Sequence, residues 1–159
     1  MDTYEYAMQM EKDGEHYYRD LAQKTPNKGL KSILLMLADA EVKHYNLFQN
    51  MKRHEKVLMP DATLLNDVKN IFVKMREENQ SDVDVSEIAL YKKAQEIEIK
   101  SRDFYLEKST EVDAAQKEVL IKIADEEKRH YLILEKIIDF VGRPDYWLEN
   151  PEWYHLEDY

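Results

Sequence analysis

ADAEVKHY at residues 38–45 and ADEEKRHY at residues 124–131 are nearly the same octet written twice. Each sets a glutamate and a histidine three apart inside a long apolar stripe. On an α-helix, positions three apart are neighbours on one face. Glu41 and His44 therefore aim a carboxylate and an imidazole at one point, and so do Glu127 and His130. A solvated helix face does not need that pattern, and a hydrophobic core resists it.

The duplication extends outward from these octets. Upstream of the first, A7-x3-E11-x2-G14-x2-Y17-Y18 matches A94-x3-E98-x2-S101-x2-F104-Y105 upstream of the second. Glu11 and Glu98 are 87 residues apart and Glu41 and Glu127 are 86, so the two copies differ by a single residue between their helices. Each copy is one helical hairpin. In the first copy, helical periodicity runs from Tyr4, after a candidate N-cap at Thr3, to Lys24, and stops at Thr25-Pro26-Asn27. It resumes from Lys28 to about Lys56, with Ile33, Leu34, Leu37, Ala38, Glu41, His44, Phe48 and Met51 facing inward, and Pro60 breaks it. The segment 61–80 carries Leu64, Leu65, Val68, Ile71, Phe72 and Met75 and reads as a crossover helix. Ser86 is a candidate N-cap for a third long helix at 87–108, and a fourth runs from Ala114 to Val141, ended by Gly142-Arg143-Pro144. The expected fold is all-α: a four-helix bundle over residues 1–142, built from two related hairpins, with a long crossover between helices two and three. An aromatic tail, 143–159, is expected to pack on the bundle or on a second subunit, which makes a homodimer the expected assembly.

Composition narrows the chemistry. A chain of 159 residues supports one domain with a real core. With three Gly, four Pro and 35% charged residues it is mostly helix. Its longest apolar runs, such as SILLMLA at 32–38, fall far short of the roughly 20 residues of a membrane span. The opening MDTYEYAMQM lacks the pattern of a signal peptide, so a cytoplasmic location is expected. A net charge of −10 without a dense Lys/Arg patch argues against nucleic acid and against an anionic membrane, and favours only cations. There is no cysteine, which leaves carboxylate and imidazole as the ligands for any metal.

Glu11, Glu41, Glu98 and Glu127, with His44 and His130, all fall on inward stripes and should converge in the bundle core. Burying four carboxylates beside neutral histidines costs several kcal/mol per ion, against a domain stability of about 5–15 kcal/mol. Two divalent cations would cancel the charge. Carboxylate oxygens with one imidazole per metal and no sulfur suit Fe or Mn, and Zn is compatible. A third E-x-x-H, Glu152 to His155, lies past Pro151 in the tail without a repeat partner and reads as coincidence. His16 and His54 have no repeat partners either and read as surface residues. Lys43 and Arg129 read as solvated, and the methionines, among them Met36, Met59 and Met75, as core filling.

This six-residue set is that of ferritin-like di-iron and di-manganese carboxylate proteins. Over residues 4–141 the sequence resembles the rubrerythrin branch of that superfamily. The resemblance implies two Fe ions, bridged by Glu41 and Glu127, with Glu11 and Glu98 as terminal ligands and His44 and His130 serving one metal each. It also implies that Tyr18 and Tyr105, seven residues after Glu11 and Glu98, hydrogen-bond ligand carboxylates at the catalytic centre. The implied activity is reduction of hydrogen peroxide or dioxygen. Two features depart from the family pattern. Rubrerythrins proper carry a rubredoxin-like domain held by four cysteines; without cysteine that domain is expected to be absent and an external electron donor, such as a rubredoxin-type protein, to serve instead. The family's additional glutamate, one turn after the helix-three ligand, is Ser101 here, and Glu15 reads as an ordinary rim residue. Two other functions fit the same residues: ferroxidase and iron storage of ferritin type, and a non-catalytic helical interaction module with a vestigial site.

Overall fold

The structure, a computed structural model, describes residues 1–59 and 63–149. Pro60, the start of the expected 61–80 helix, the Glu152–His155 triplet and the tail beyond Glu149 lie outside the described residues. The described elements are all helical: α1 (Thr3–Lys24), α2 (Lys28–Lys52), α3 (Leu64–Glu77), a 3-10 turn (Val85–Glu87), α4 (Ile88–Ser109), α5 (Ala114–Gly142) and the short α6 (Pro144–Glu149). The hairpins α1–α2 and α4–α5 pack with α1 against α4 and α2 against α5, while α3 crosses over α2 and α5. This is the all-α, ferritin-like bundle that the duplicated hairpins predict. No helix among the described residues is long and apolar enough to cross a membrane.

Helix ends differ from the expected ones where local hydrogen bonding overrides periodicity. Asp2, not Thr3, caps α1, in a reciprocal box: Asp2 Oδ1 accepts from the Glu5 N–H at 2.8 Å, and the Asp2 N–H donates to Glu5 Oε2 at 3.3 Å. Ser86 does not cap α4, which has no side-chain cap; Asp84 instead accepts from the Ser86 N–H at 2.9 Å and starts the 3-10 turn that leads into α4. Helix α2 ends at Lys52 and not near Lys56, because His54 adopts a left-handed conformation with φ 58°. At its other end Asn27 is fully buried; its side chain accepts from the Leu30 N–H and donates to the Gln80 carbonyl, both at 3.0 Å, and so ties the α1–α2 turn to the chain after α3.

Close approach explains Gly29. A Cβ there would lie 2.3 Å from the Met75 side chain, so α3 can seat Met75 against α2 only where that side chain is missing. Phe72 of α3 meets Phe140 at 6.0 Å and Trp147 at 5.8 Å between ring centroids. Trp147, at the start of the tail, is thereby buried in the bundle's larger apolar cluster.

The core is two clusters and not one. The larger includes Tyr18, Leu37, Ala38, Ala94 and Ile133; the smaller includes Ala7, Phe48, Tyr105 and Ala124. Along every long helix the acidic and imidazole residues fall between a member of one cluster and a member of the other. Glu11 lies between Ala7 and Tyr18, and Glu98 between Ala94 and Tyr105. Glu41 and His44 separate Ala38 from Phe48, and Glu127 and His130 separate Ala124 from Ile133. The apolar stripes thus fix a polar layer across the middle of the bundle.

Candidate metal centre

Helix α1 supplies Glu11, α2 supplies Glu41 and His44, α4 supplies Glu98, and α5 supplies Glu127 and His130. None of the six is more than 4% exposed. They form two overlapping groups whose ligand atoms lie within 4.8 Å of one another: Glu11, Glu41, His44 and Glu127, and Glu41, Glu98, Glu127 and His130. Glu41 and Glu127 belong to both groups.

Both imidazoles turn Nδ1 into the layer. His44 Nδ1 is 2.9 Å from Glu127 Oε1 and 3.4 Å from Glu11 Oε2. His130 Nδ1 is 3.3 Å from Glu41 Oε1 and 3.4 Å from Glu98 Oε1. The rings lie nearly parallel, 13° between planes and 5.9 Å between centroids. Despite this proximity, one atom from each of the six residues lacks a hydrogen-bond partner: Glu11 Oε2, Glu41 Oε1, His44 Nδ1, Glu98 Oε2, Glu127 Oε1 and His130 Nδ1. Buried polar atoms are ordinarily satisfied, and each one left alone costs about 1–3 kcal/mol. Six such atoms, one on each residue of the two groups, fit a pair of cations.

The surrounding residues hold this arrangement. Tyr105 on α4 donates to Glu11 Oε1 on α1 at 2.6 Å, and Tyr18 on α1 donates to Glu98 on α4. The tyrosine bonds therefore cross between hairpins, each one fixing the carboxylate of the other copy. Burial and the neighbouring Glu98 and Glu11 carboxylates push the Tyr18 and Tyr105 hydroxyls well above the ordinary phenol range, which keeps them donors. Gly14 leaves the room Glu41 occupies: a Cβ at Gly14 would stand 3.1 Å from Glu41 Oε2.

Without a cation the four carboxylates cannot all ionise. Burial, then the Glu11 charge, raises Glu41 and Glu127 well above the usual carboxylate value. Burial also acts to raise Glu11 and Glu98, but the nearby His44 and His130 outweigh it, holding Glu11 below the usual range and Glu98 down to about 2. Burial disfavours charge on His44, yet the Glu11 carboxylate raises it well above the usual imidazole value. Protons on Glu41, Glu127 and His44 thus stand in for the missing positive charge.

Residues outside the layer sort plainly. His16 and His54 are exposed. Glu15 turns away from the centre to pair with Arg19 at 2.7 Å. Lys43 is exposed, whereas Arg129 is half-buried, and both line a pocket of about 220 Å³ beside His44 and His130. Glu126 was not singled out by sequence reasoning. It bonds His44 Nε2, on the ring edge opposite Nδ1. The signal was present in the two octets, whose third letters are Ala40 and Glu126, but adjacency to a ligand glutamate hid it.

Compared with known families, residues 2–138 match the family model described as Rubrerythrin. No curated protein matches the chain, and no solved structure does.

Proposed function

We propose that this chain, which belongs to the rubrerythrin family, is a di-iron oxidoreductase that reduces hydrogen peroxide or dioxygen and is recharged by an external electron donor. The observation that carries this reading is the set of six buried ligand atoms without partners, shared between two overlapping groups. The donor set favours iron: four carboxylates and one imidazole per position stabilise the higher oxidation state, and no soft sulfur is offered. Manganese fits the same donors, and zinc fits them without redox chemistry.

In this reading Glu11, Glu41, His44 and Glu127 would hold one metal, and Glu41, Glu98, Glu127 and His130 would hold the other. The chemistry supplied by a bound iron pair is transfer of two electrons to an O–O bond. The residues prepare it. Tyr18 and Tyr105 fix the terminal carboxylates by hydrogen bonds, which limits their motion to the atoms left free. The two apolar clusters exclude bulk water on either side. The proposed approach for a small oxidant is the pocket beside the histidines, where Met36, Leu47 and Leu64 mix with Lys43, Glu126 and Arg129. The proposed electron donor is a separate protein of rubredoxin type. A homodimer is the proposed assembly.

Elemental analysis of the protein as isolated, followed by anaerobic Fe(II) loading, tests the reading. Two irons per chain and rapid oxidation by peroxide or dioxygen are expected. Loading of two irons that react with neither oxidant would remove the oxidoreductase. A large hollow assembly that accumulates ferric mineral would assign iron storage instead.

A further inference from the structure

The duplicated octets place Ala40 opposite Glu126 and Glu41 opposite Glu127. Both histidines turn Nδ1 inward, so Nε2 of each faces away from the carboxylate layer. For His44, Glu126 Oε2 bonds that outer nitrogen. For His130, the position that would supply the matching carboxylate carries only the Ala40 methyl, and no hydrogen bond reaches Nε2 among the described residues. Ala40, Glu126, His44 and His130 all line the same pocket of about 220 Å³. Besides Glu126, the described carboxylates that line this pocket are Asp39 and Asp67.

A carboxylate on the outer nitrogen of a ligating imidazole fixes its tautomer and ring orientation and makes the inner nitrogen a stronger donor. Removal of such a partner typically costs about 10–100-fold in metal affinity. Given the reading of the six residues as metal ligands, on which this rests, we infer that Glu126 is a positioning residue that makes the two metal positions unequal. The His44 position binds first and more tightly, and the His130 position, whose ring has no carboxylate on Nε2 among the described residues, fills second. Glu126 keeps 16% of its side-chain surface exposed, so water partly screens its bond to His44. The expected inequality is therefore nearer the lower end, about tenfold.

Titration of the metal-free protein with Co(II), followed by calorimetry and by the visible absorption of the bound ion, separates the two steps. The wild type is expected to take up two Co(II) per chain with affinities about tenfold or more apart. Glu126→Ala should weaken the first step about tenfold and alter the spectrum of the first equivalent, leaving the second step as it was. Glu126→Gln, whose amide oxygen can accept the same bond, should recover part of the loss. Ala40→Glu should strengthen the second step and draw the two together; should that variant fail to fold, the Glu126 series decides alone. Two equal steps in the wild type would overturn the inference and leave the metal centre standing. So would a Glu126→Ala protein with an unchanged first step, or one in which both steps weaken alike. Failure of the wild type to bind Co(II) at all would overturn the metal centre itself and this inference with it.

Discussion

At the scale of single residues, the centre depends on what is left unsatisfied and on what is left out. Tyr105 satisfies one oxygen of Glu11, and Glu11 Oε2 is left for a cation. Tyr105→Phe should strip the first oxygen of its partner and lower stability by about 1–3 kcal/mol, readable by urea unfolding of the metal-free protein. Gly14 acts by absence. Gly14→Leu would force a branched chain into the space beside Glu41 Oε2, where even a Cβ stands at 3.1 Å. Overpacking there should cost about 1–3 kcal/mol and lower metal stoichiometry below two per chain, with helical content by circular dichroism unchanged. Retention of two tightly held metals in that variant would show that Glu41 does not need its present position. The six ligand candidates were legible from spacing and duplication alone. Gly14 appeared only as one position of the duplicated pattern, since the sequence does not say which side chain of another helix comes near it.

At the scale of helices, inward stripes are read well from sequence and ends are read less well. All eight residues assigned to the inner face of α2 are buried. Its stop was misplaced because a left-handed residue at His54 ends the helix while polar periodicity still permits it. Capping shows the same limit: Asp2, one residue before the expected Thr3, caps α1, and Asp84, two residues before the expected Ser86, caps the 3-10 turn that precedes α4. Asn27 matters most among the caps because it is buried and serves two segments. Asn27→Ala should remove the cap, worth about 0.5–2 kcal/mol, and also leave the Gln80 carbonyl without that donor. A total loss of roughly 2 kcal/mol or more is expected in equilibrium unfolding, and Asn27→Asp, which keeps the cap but sets a buried carboxylate oxygen against the Gln80 carbonyl and Asp82, should recover none of it.

At the scale of the whole molecule, two apolar clusters hold four helices around a layer that carries more negative charge than the fold can bear unaided. The pH dependence follows from the shifts. Glu41 and Glu127 are raised in the folded state, so their contribution is full below their ordinary value of 4.5 and is lost as pH rises through the raised values. His44 behaves likewise from 6.5 upward. Glu11 and Glu98 are lowered, so theirs is present above 4.5 and is lost as pH falls toward the depressed values. The metal-free protein should therefore melt at lower temperature at about pH 8 than at about pH 5.5. Metal loading should reverse that slope and add several kcal/mol at about pH 8, a rise of roughly 10 °C. Uptake should also release protons from Glu41, Glu127 and His44, measured as a dependence of calorimetric heat on buffer ionisation. An unchanged melting temperature after chelation would identify a helical module with a vestigial site.

The sequence by itself determined the two related hairpins, the crossover between them and the six residues that meet, because helical periodicity and an internal duplication are properties of order along the chain. The exclusion of sulfur chemistry was equally a matter of composition. Tertiary structure alone decided which carboxylate each tyrosine serves, how close Gly14 comes to Glu41, and that Glu126 anchors His44 while Ala40, its counterpart, offers His130 no carboxylate. These are distances between helices, set by how side chains of different elements interdigitate, and no local pattern encodes them. The two octets looked equivalent as text; packed against each other, their one acidic difference breaks the symmetry of the centre they build.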